Sequence, residues 1–246
     1  MDLSKAFDCI DHTILINKLR FYGIRGVAID FIISYLENRK QFVNIGNFTS
    51  YSLDILLGVP QGSNLGPLLF LLYVNDLPNA SEILSFILFA DDTSLFIAGN
   101  DPRSVNLVLN TELEKVYSWF LANKLLVNYN KTNYVVFKTK NKCVDLNVID
   151  VYIANNKISM VDSVKFLGLI IDSKLNWKAH INELSRKIAC VIGVISKIKY
   201  MLPSSVLINL YNTLILPHLT YCNIIWGNCS NYLLQRLFLL QKRAIR

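Results

Sequence analysis

Two adjacent acids, Asp91 and Asp92, stand between the apolar runs Ile83 to Ala90 and Leu95 to Ala98. Each run is long enough for a strand, so Phe89-Ala90-Asp91-Asp92-Thr93 predicts a buried β-hairpin with both carboxylates at its turn. One Asp at a turn is ordinary, because its short side chain bonds nearby backbone. Two are costly, since like charges at close range repel and each is driven to protonate. A divalent cation removes that cost by supplying opposite charge and ordered ligand geometry. A solvated hairpin tip is the plain alternative for this stretch taken alone.

A third acid of interest, Asp2, lies in the opening segment Met1-Asp2-Leu3-Ser4-Lys5-Ala6-Phe7-Asp8-Cys9-Ile10-Asp11-His12. Together with Gly58-Val59-Pro60-Gln61-Gly62-Ser63 and with Phe89 to Thr93, this segment resembles the reverse transcriptases of non-LTR (LINE-like) retrotransposons, on the jockey-like side. The resemblance extends through Asn130-Lys131-Thr132 and Phe166-Leu167-Gly168 to the C-terminus.

That family transfers dNTPs onto a DNA primer along an RNA template, using two Mg²⁺ ions (Mn²⁺ as a substitute) about 3.5–4 Å apart. The resemblance implies that Asp2 and Asp91 bridge both metals, that Asp92 is the third acid, and that the backbone carbonyl of Leu3 adds a ligand. It places Phe7 against the sugar, where a bulky ring rejects a ribose 2′-hydroxyl; an ordinary core Phe is the other reading. Gln61 and Gly62 match residues that contact the incoming nucleotide and template, the glycine allowing close backbone approach. Lys131 matches the lysine that protonates departing pyrophosphate, and Phe166-Leu167-Gly168 the primer-grip hairpin. Asp8 and Asp11 match the wider motif, and helix capping is the role expected of them. In the family a fingers subdomain precedes the first acid, with an endonuclease further upstream. Neither is in this sequence, so the expectation is a fragment with little or no activity, placed in the cytoplasm and nucleus. The alternative is a non-catalytic retrotransposon remnant that at most binds RNA.

The elements that must position these residues follow from pattern. The chain of 246 residues is long enough for one large or two small domains. Its hydrophobic content of 52% is high against 17% charge, yet no run of about 18 uncharged apolar residues occurs, which argues against a membrane span. The net charge of +7 suits a polyanionic partner. Many basic residues fall late, at Lys174, Lys178, Arg186, Lys187, Lys197, Lys199, Lys242, Arg243 and Arg246, where a solvated helix face is the plain reading. Cys9, Cys143, Cys190, Cys222 and Cys229 lack a Cys-x-x-Cys pair and read as reduced, mostly buried thiols of an intracellular protein. His218 with Cys222 and Cys229 matches no zinc spacing, and core packing is expected. No signal peptide is evident at the start.

Helices are predicted from Asp11 or Thr13 to Gly23, over 27–38, 68–77 and 102–123, and after Trp177 over 181–201, 204–216 and 232–245. Strands are predicted at 41–45 with 51–57, at 134–137, at 148–153 with 157–160 turning at Asn155-Asn156, and at 164–171. The resulting fold class is α+β: a polymerase palm, an antiparallel sheet backed by helices, over residues 1–175, followed by a helical thumb over 176–246.

Overall fold

A computed structural model of the chain describes residues 1–138 and 145–245. Cys143 and Arg246 therefore lie outside the described residues. The fold mixes helices with small antiparallel sheets, as an α+β chain should. It divides into two compact units, Met1–Asn133 with Val144–Ser159, and Tyr134–Cys143 with Met160–Arg246.

In the first unit, α1 (His12–Phe21) buries Leu15 and Leu19, one turn apart on the same face. Its end is the predicted one. Gly23, at φ +91°, lets the Ile24 N–H reach the Leu19 carbonyl and its own N–H reach Arg20, the Schellman pattern. α2 (Val27–Leu36) buries Ile29 and Leu36 and stops two residues earlier than expected. α3 (Leu65–Val74) buries Leu69, Phe70 and Tyr73, and begins before Pro67 rather than after it. A proline in the first helical turn forfeits no hydrogen bond, so it does not mark the start. The Lys18 ammonium binds the Tyr73 carbonyl and the Asp76 carboxylate, tying α1 to the end of α3. α4 (Pro102–Ala122) is capped by Asp101 on the Ser104 N–H and buries Leu113, Val116 and Phe120. These faces meet in one core, which also takes Leu3, Ile10 and Val127.

Asp11 caps α1 as expected, accepting from the Ile14 N–H at 3.0 Å; it also accepts from the Lys124 ammonium at 2.6 Å. That lysine hydrogen bond, more than any other influence, holds the Asp11 pKa below the usual carboxylate value. Stability gained from a lowered carboxylate pKa is present above the unfolded value and is lost as pH falls through the folded one. Asp11→Ala should therefore cost about 1 kcal/mol near neutrality, as a lost N-cap does. In chemical denaturation the gap between parent and variant should narrow below about pH 4. An identical gap at neutral and acid pH would show that the Asp11 charge contributes nothing.

Several predicted strands are corrected. The arm after α2 pairs Lys40–Gln41 with Leu53–Asp54 and Asn44–Ile45 with Phe48–Thr49 around Gly46-Asn47, the Gly-Asn turn expected there. The second arm thus runs earlier than 51–57. The strand at 134–137 shrinks to Asn133–Tyr134. Tyr152–Ile153 pairs with Asn156–Lys157, and the turn is Ala154-Asn155, both at positive φ as a two-residue type I′ turn demands.

In the second unit the predicted strand 164–171 is a hairpin, Ser163–Phe166 against Leu169–Asp172, turning at Leu167-Gly168. Asp172 then accepts from the Lys174, Asn176 and Trp177 N–H groups and leads the chain into α5 (Lys178–Ile198). α6 (Ser204–Leu214), α7 (Leu216–Thr220), α8 (Asn223–Trp226) and α9 (Asn231–Ile245) follow, Pro217 separating the first two. Leu169, Ile181, Ile188, Ile215, Trp226 and Leu237 make this unit's core. Cys222 and Cys229 pack against it as expected, whereas Cys190 is exposed, contrary to the expectation for the thiols as a group. Among the described residues no helix is long and apolar enough to cross a membrane.

Candidate active site

The acid-bearing hairpin pairs Ser85–Phe89 with Asp92–Phe96. Its turn is Ala90-Asp91, so Asp91 lies in the turn, while Asp92 is the first strand residue, opposite Phe89. Ala90 sits at φ +51°, a conformation that costs a residue with a Cβ roughly 1–2 kcal/mol. The hairpin is half-buried rather than buried. Phe86, Leu88, Thr93 and Leu95 face the core, whereas Ile87, Phe89 and Phe96 are exposed. The apolar runs conceal this because both faces of the hairpin are apolar.

Asp2 reaches the hairpin through backbone. The Met1 amino group donates to the Thr93 carbonyl, and the Thr93 N–H donates to the Met1 carbonyl. On its other side the opening segment bridges Leu3 to Val127, with Ser4 N–H to Leu126 carbonyl at 2.8 Å and Asn128 N–H to Asp2 carbonyl at 2.9 Å. The segment is thus paired on both sides. Leu3 and Thr93 are buried, so their neighbours Asp2 and Asp92 emerge on the opposite, open face. Burial keeps the Met1 amino group below its ordinary pKa, an effect that the Asp92 and Asp2 carboxylates oppose. In an antiparallel pair of this type the two residues' own polar groups point outward, so the Leu3 carbonyl faces away from Val127, towards the hairpin side.

Lys131 belongs to the same neighbourhood, its ammonium 3.9 Å from the Asp2 carboxylate. A contribution absent from the sequence reading comes from Thr132. Its buried hydroxyl accepts the Asp2 N–H at 3.2 Å and donates to the Asn128 carbonyl at 2.8 Å. The Asn130-Lys131-Thr132 stretch therefore both supplies a cation and fixes the acid's backbone.

Phe7 lies in a single 3₁₀ turn, Ala6–Asp8, with its ring stacked on buried Phe70 at 4.5 Å between centroids. Gln61 is exposed and donates from Nε2 to the Asp8 carboxylate at 2.8 Å. Asp8 thus holds the Gln61 amide rather than capping a helix. Gly62, at φ +79°, has open space where a Cβ would stand. A close backbone approach is found instead at Gly58, whose N–H donates to the Ile10 carbonyl while the Val59 N–H donates to the Phe7 carbonyl. Leu167 and Gly168 form the turn of the second unit's hairpin and Phe166 is the strand residue before it; the Tyr221 hydroxyl donates to the Leu167 carbonyl at 2.6 Å.

The donor set is carboxylate and carbonyl oxygen, the type that Mg²⁺ prefers. Among the described residues, however, no three or more His, Cys, Asp or Glu side chains are grouped closely enough to hold an ion together. Asp2 and Asp92 share a face; Asp91 projects from the turn.

Residues 1–171 match the family model described as reverse transcriptase (RNA-dependent DNA polymerase). The chain belongs to the reverse transcriptase family. Its relatives include a probable RNA-directed DNA polymerase from transposon X-element of Drosophila melanogaster, 25% identical over all of this chain and 27% of the relative. Another, from transposon BS of Drosophila melanogaster, is 27% identical over all of this chain and 28% of its own length. The RNA-directed DNA polymerase from mobile element jockey of the same fly is 24% identical over all of this chain and 27% of its own length. The chain thus spans about a quarter of the length of these transposon proteins.

Proposed function

We propose that this chain is the polymerase region of a non-LTR retrotransposon protein, which extends a DNA primer with dNTPs along an RNA template during retrotransposition. The observation that carries this reading is the pairing of Met1 with Thr93, 92 positions apart, which sets Asp2 and Asp92 on one open face. Residues 1–175 act as the palm and 176–246 as the thumb, with Phe166, Leu167 and Gly168 as the primer grip. Asp2, Asp91 and Asp92, with the Leu3 carbonyl, would hold two Mg²⁺ or Mn²⁺ ions. When bound, such ions neutralise charge on the attacking and leaving oxygens. Gln61, steadied by Asp8, and Gly62 contact the nucleotide and template, and Lys131 supplies a proton to the departing pyrophosphate. The working compartments are the cytoplasm and nucleus.

The test is Mg²⁺-dependent incorporation of dTTP by the purified chain on poly(rA)/oligo(dT). Incorporation supports the reading. Tight binding of that duplex with no incorporation would favour the second reading, an RNA-binding remnant without catalysis.

Phe7 gives a further expectation. Its stack on Phe70 fixes the ring, so Phe7→Ala should open the space that excludes a 2′-hydroxyl. Discrimination against rNTPs should fall by about tenfold or more in single-nucleotide incorporation, the scale on which one filled pocket position is read. Unchanged discrimination would make Phe7 a core residue only.

A further inference from the structure

Both polar groups of the Asp2 main chain are taken by one short stretch. The Asn128 N–H donates to the Asp2 carbonyl at 2.9 Å, and the Asp2 N–H donates to the Thr132 hydroxyl at 3.2 Å. Between those anchors the chain turns tightly, with the Lys131 and Thr132 N–H groups both donating to the Asn128 carbonyl. The Lys131 N–H also reaches the Asn128 side-chain oxygen at 3.3 Å. Tyr129 fastens the turn to α4 through a hydrogen bond with Tyr117 and packs against the core. Within this turn only Asn130 and Lys131 are exposed.

Two contacts could set the distance between Lys131 and Asp2. The ion pair is a poor ruler. It spans 3.9 Å with the lysine side chain 70% exposed and the aspartate 32%, and solvated pairs of this kind hold their partners weakly. The Thr132 hydroxyl is the better one. Thr132 is 3% exposed, and its hydroxyl proton goes to the Asn128 carbonyl at 2.8 Å, which leaves the oxygen to the Asp2 N–H. A buried hydrogen bond that water cannot replace is costly to break. Removing the hydroxyl takes the acceptor from the Asp2 N–H, whereas the Asn128 carbonyl keeps its two backbone donors. Lys131 directly precedes Thr132, so a shift of Thr132 away from Asp2 carries the ammonium with it.

We propose that Thr132 is a positioning residue for the reaction: its hydroxyl fixes the spacing of the Lys131 ammonium and the Asp2 carboxylate, so that proton donor and acid address the same phosphates. The chemical half of this rests on the polymerase reading; the spacing rests on the hydrogen bonds alone. A general acid must stand within hydrogen-bond reach of the atom it protonates, and small misplacements are expensive in rate.

The experiment compares the full chain with Thr132→Val, Thr132→Ala and Thr132→Ser. Val and Ala both remove the hydroxyl, one filling the space and the other not, while Ser keeps it. Spacing is read by a zero-length carbodiimide cross-link between the Lys131 amine and the Asp2 carboxylate, identified by peptide mass spectrometry, with a thermal melt beside it. The parent and the Ser variant should cross-link alike, and the Val and Ala variants severalfold less. In dTTP incorporation, Val and Ala should lower kcat about tenfold with KM for dTTP within about twofold, and Ser should restore kcat. The proposal is overturned if Val or Ala cross-links as the parent does, if Ser fails to restore the cross-link, or if KM rises while kcat holds. It is equally overturned if the cross-link falls only in step with the melting temperature. A parent chain that incorporates no dTTP overturns the polymerase reading alone, and the cross-link then decides the spacing by itself.

Discussion

Primer extension is expected to fall at least about a thousandfold when Asp92 is replaced by Asn, with the fold intact. Asp92 is exposed on the open face, so the substitution removes a charge without opening the core. Exposed substitutions of this kind change stability by about 0.5 kcal/mol or less. The chemistry is another matter. Metal-assisted stabilisation of a transferring phosphoryl group is worth several kcal/mol, and about 4 kcal/mol is a thousandfold in rate. Asp2→Asn should behave alike, because its carboxylate emerges on the same face. The measurement is dTTP incorporation beside a thermal melt for each variant. Activity within tenfold of the parent in either variant, at unchanged melting temperature, would remove that carboxylate from the chemistry.

Gly58→Ala carries the largest expected effect on stability. A Cβ at this position would stand 2.8 Å from the Asp8 Cα and 2.9 Å from both the Asp8 and Phe7 carbonyl oxygens, all of them backbone. None can swing away as a side-chain tip would. The residue also sits at φ +84°, where a Cβ is strained regardless of space. Strain of about 1–2 kcal/mol and overpacking of about 1–3 kcal/mol together give a loss of about 3 kcal/mol. Because a domain of this size has about 5–15 kcal/mol in all, much of the protein's reserve would go. Urea denaturation should show the midpoint falling steeply. A loss below about 1 kcal/mol would mean that the Gly58-Val59 loop can lift off the Phe7–Ile10 segment at little cost, and that the docking is incidental.

The difference between Gly58 and Gly62 shows what sequence could and could not disclose. Local chemistry was legible. Asp11 as a cap, Gly23 as a helix end and the strands around Asp91-Asp92 each follow from a residue type at a fixed offset. Contacts across long separations were not, because nothing in Gly58-Val59-Pro60-Gln61 states that its partners are Phe7, Asp8 and Ile10. For the same reason the Asp8–Gln61 hydrogen bond and the Thr132 hydroxyl beneath Asp2 had no local signature. Val164 to Ile171 misled for a different reason: its central turn residue, Leu167, is apolar and adopts φ +44°, so the run shows no polar break. The Lys40–Asp54 arm slipped in register because Phe42, Val43, Phe48 and Leu53 are exposed, leaving no buried face to reveal the alternation.

The opening strand has one more consequence, which concerns the order of events in synthesis. Met1 to Ser4 leave the ribosome well before their two partners, Thr93 and the Leu126–Thr132 stretch. Closing so long a loop costs entropy that the helices do not share, since their contacts are local. α1 and α2 can form while Asp2 is still loose. At about 5–20 residues per second, the acid face waits about 6–26 s for residue 132 to be added. The acid face therefore acquires its geometry well after α1 and α2 can form, and a nascent chain halted before Thr132 carries those helices but no organised acid face.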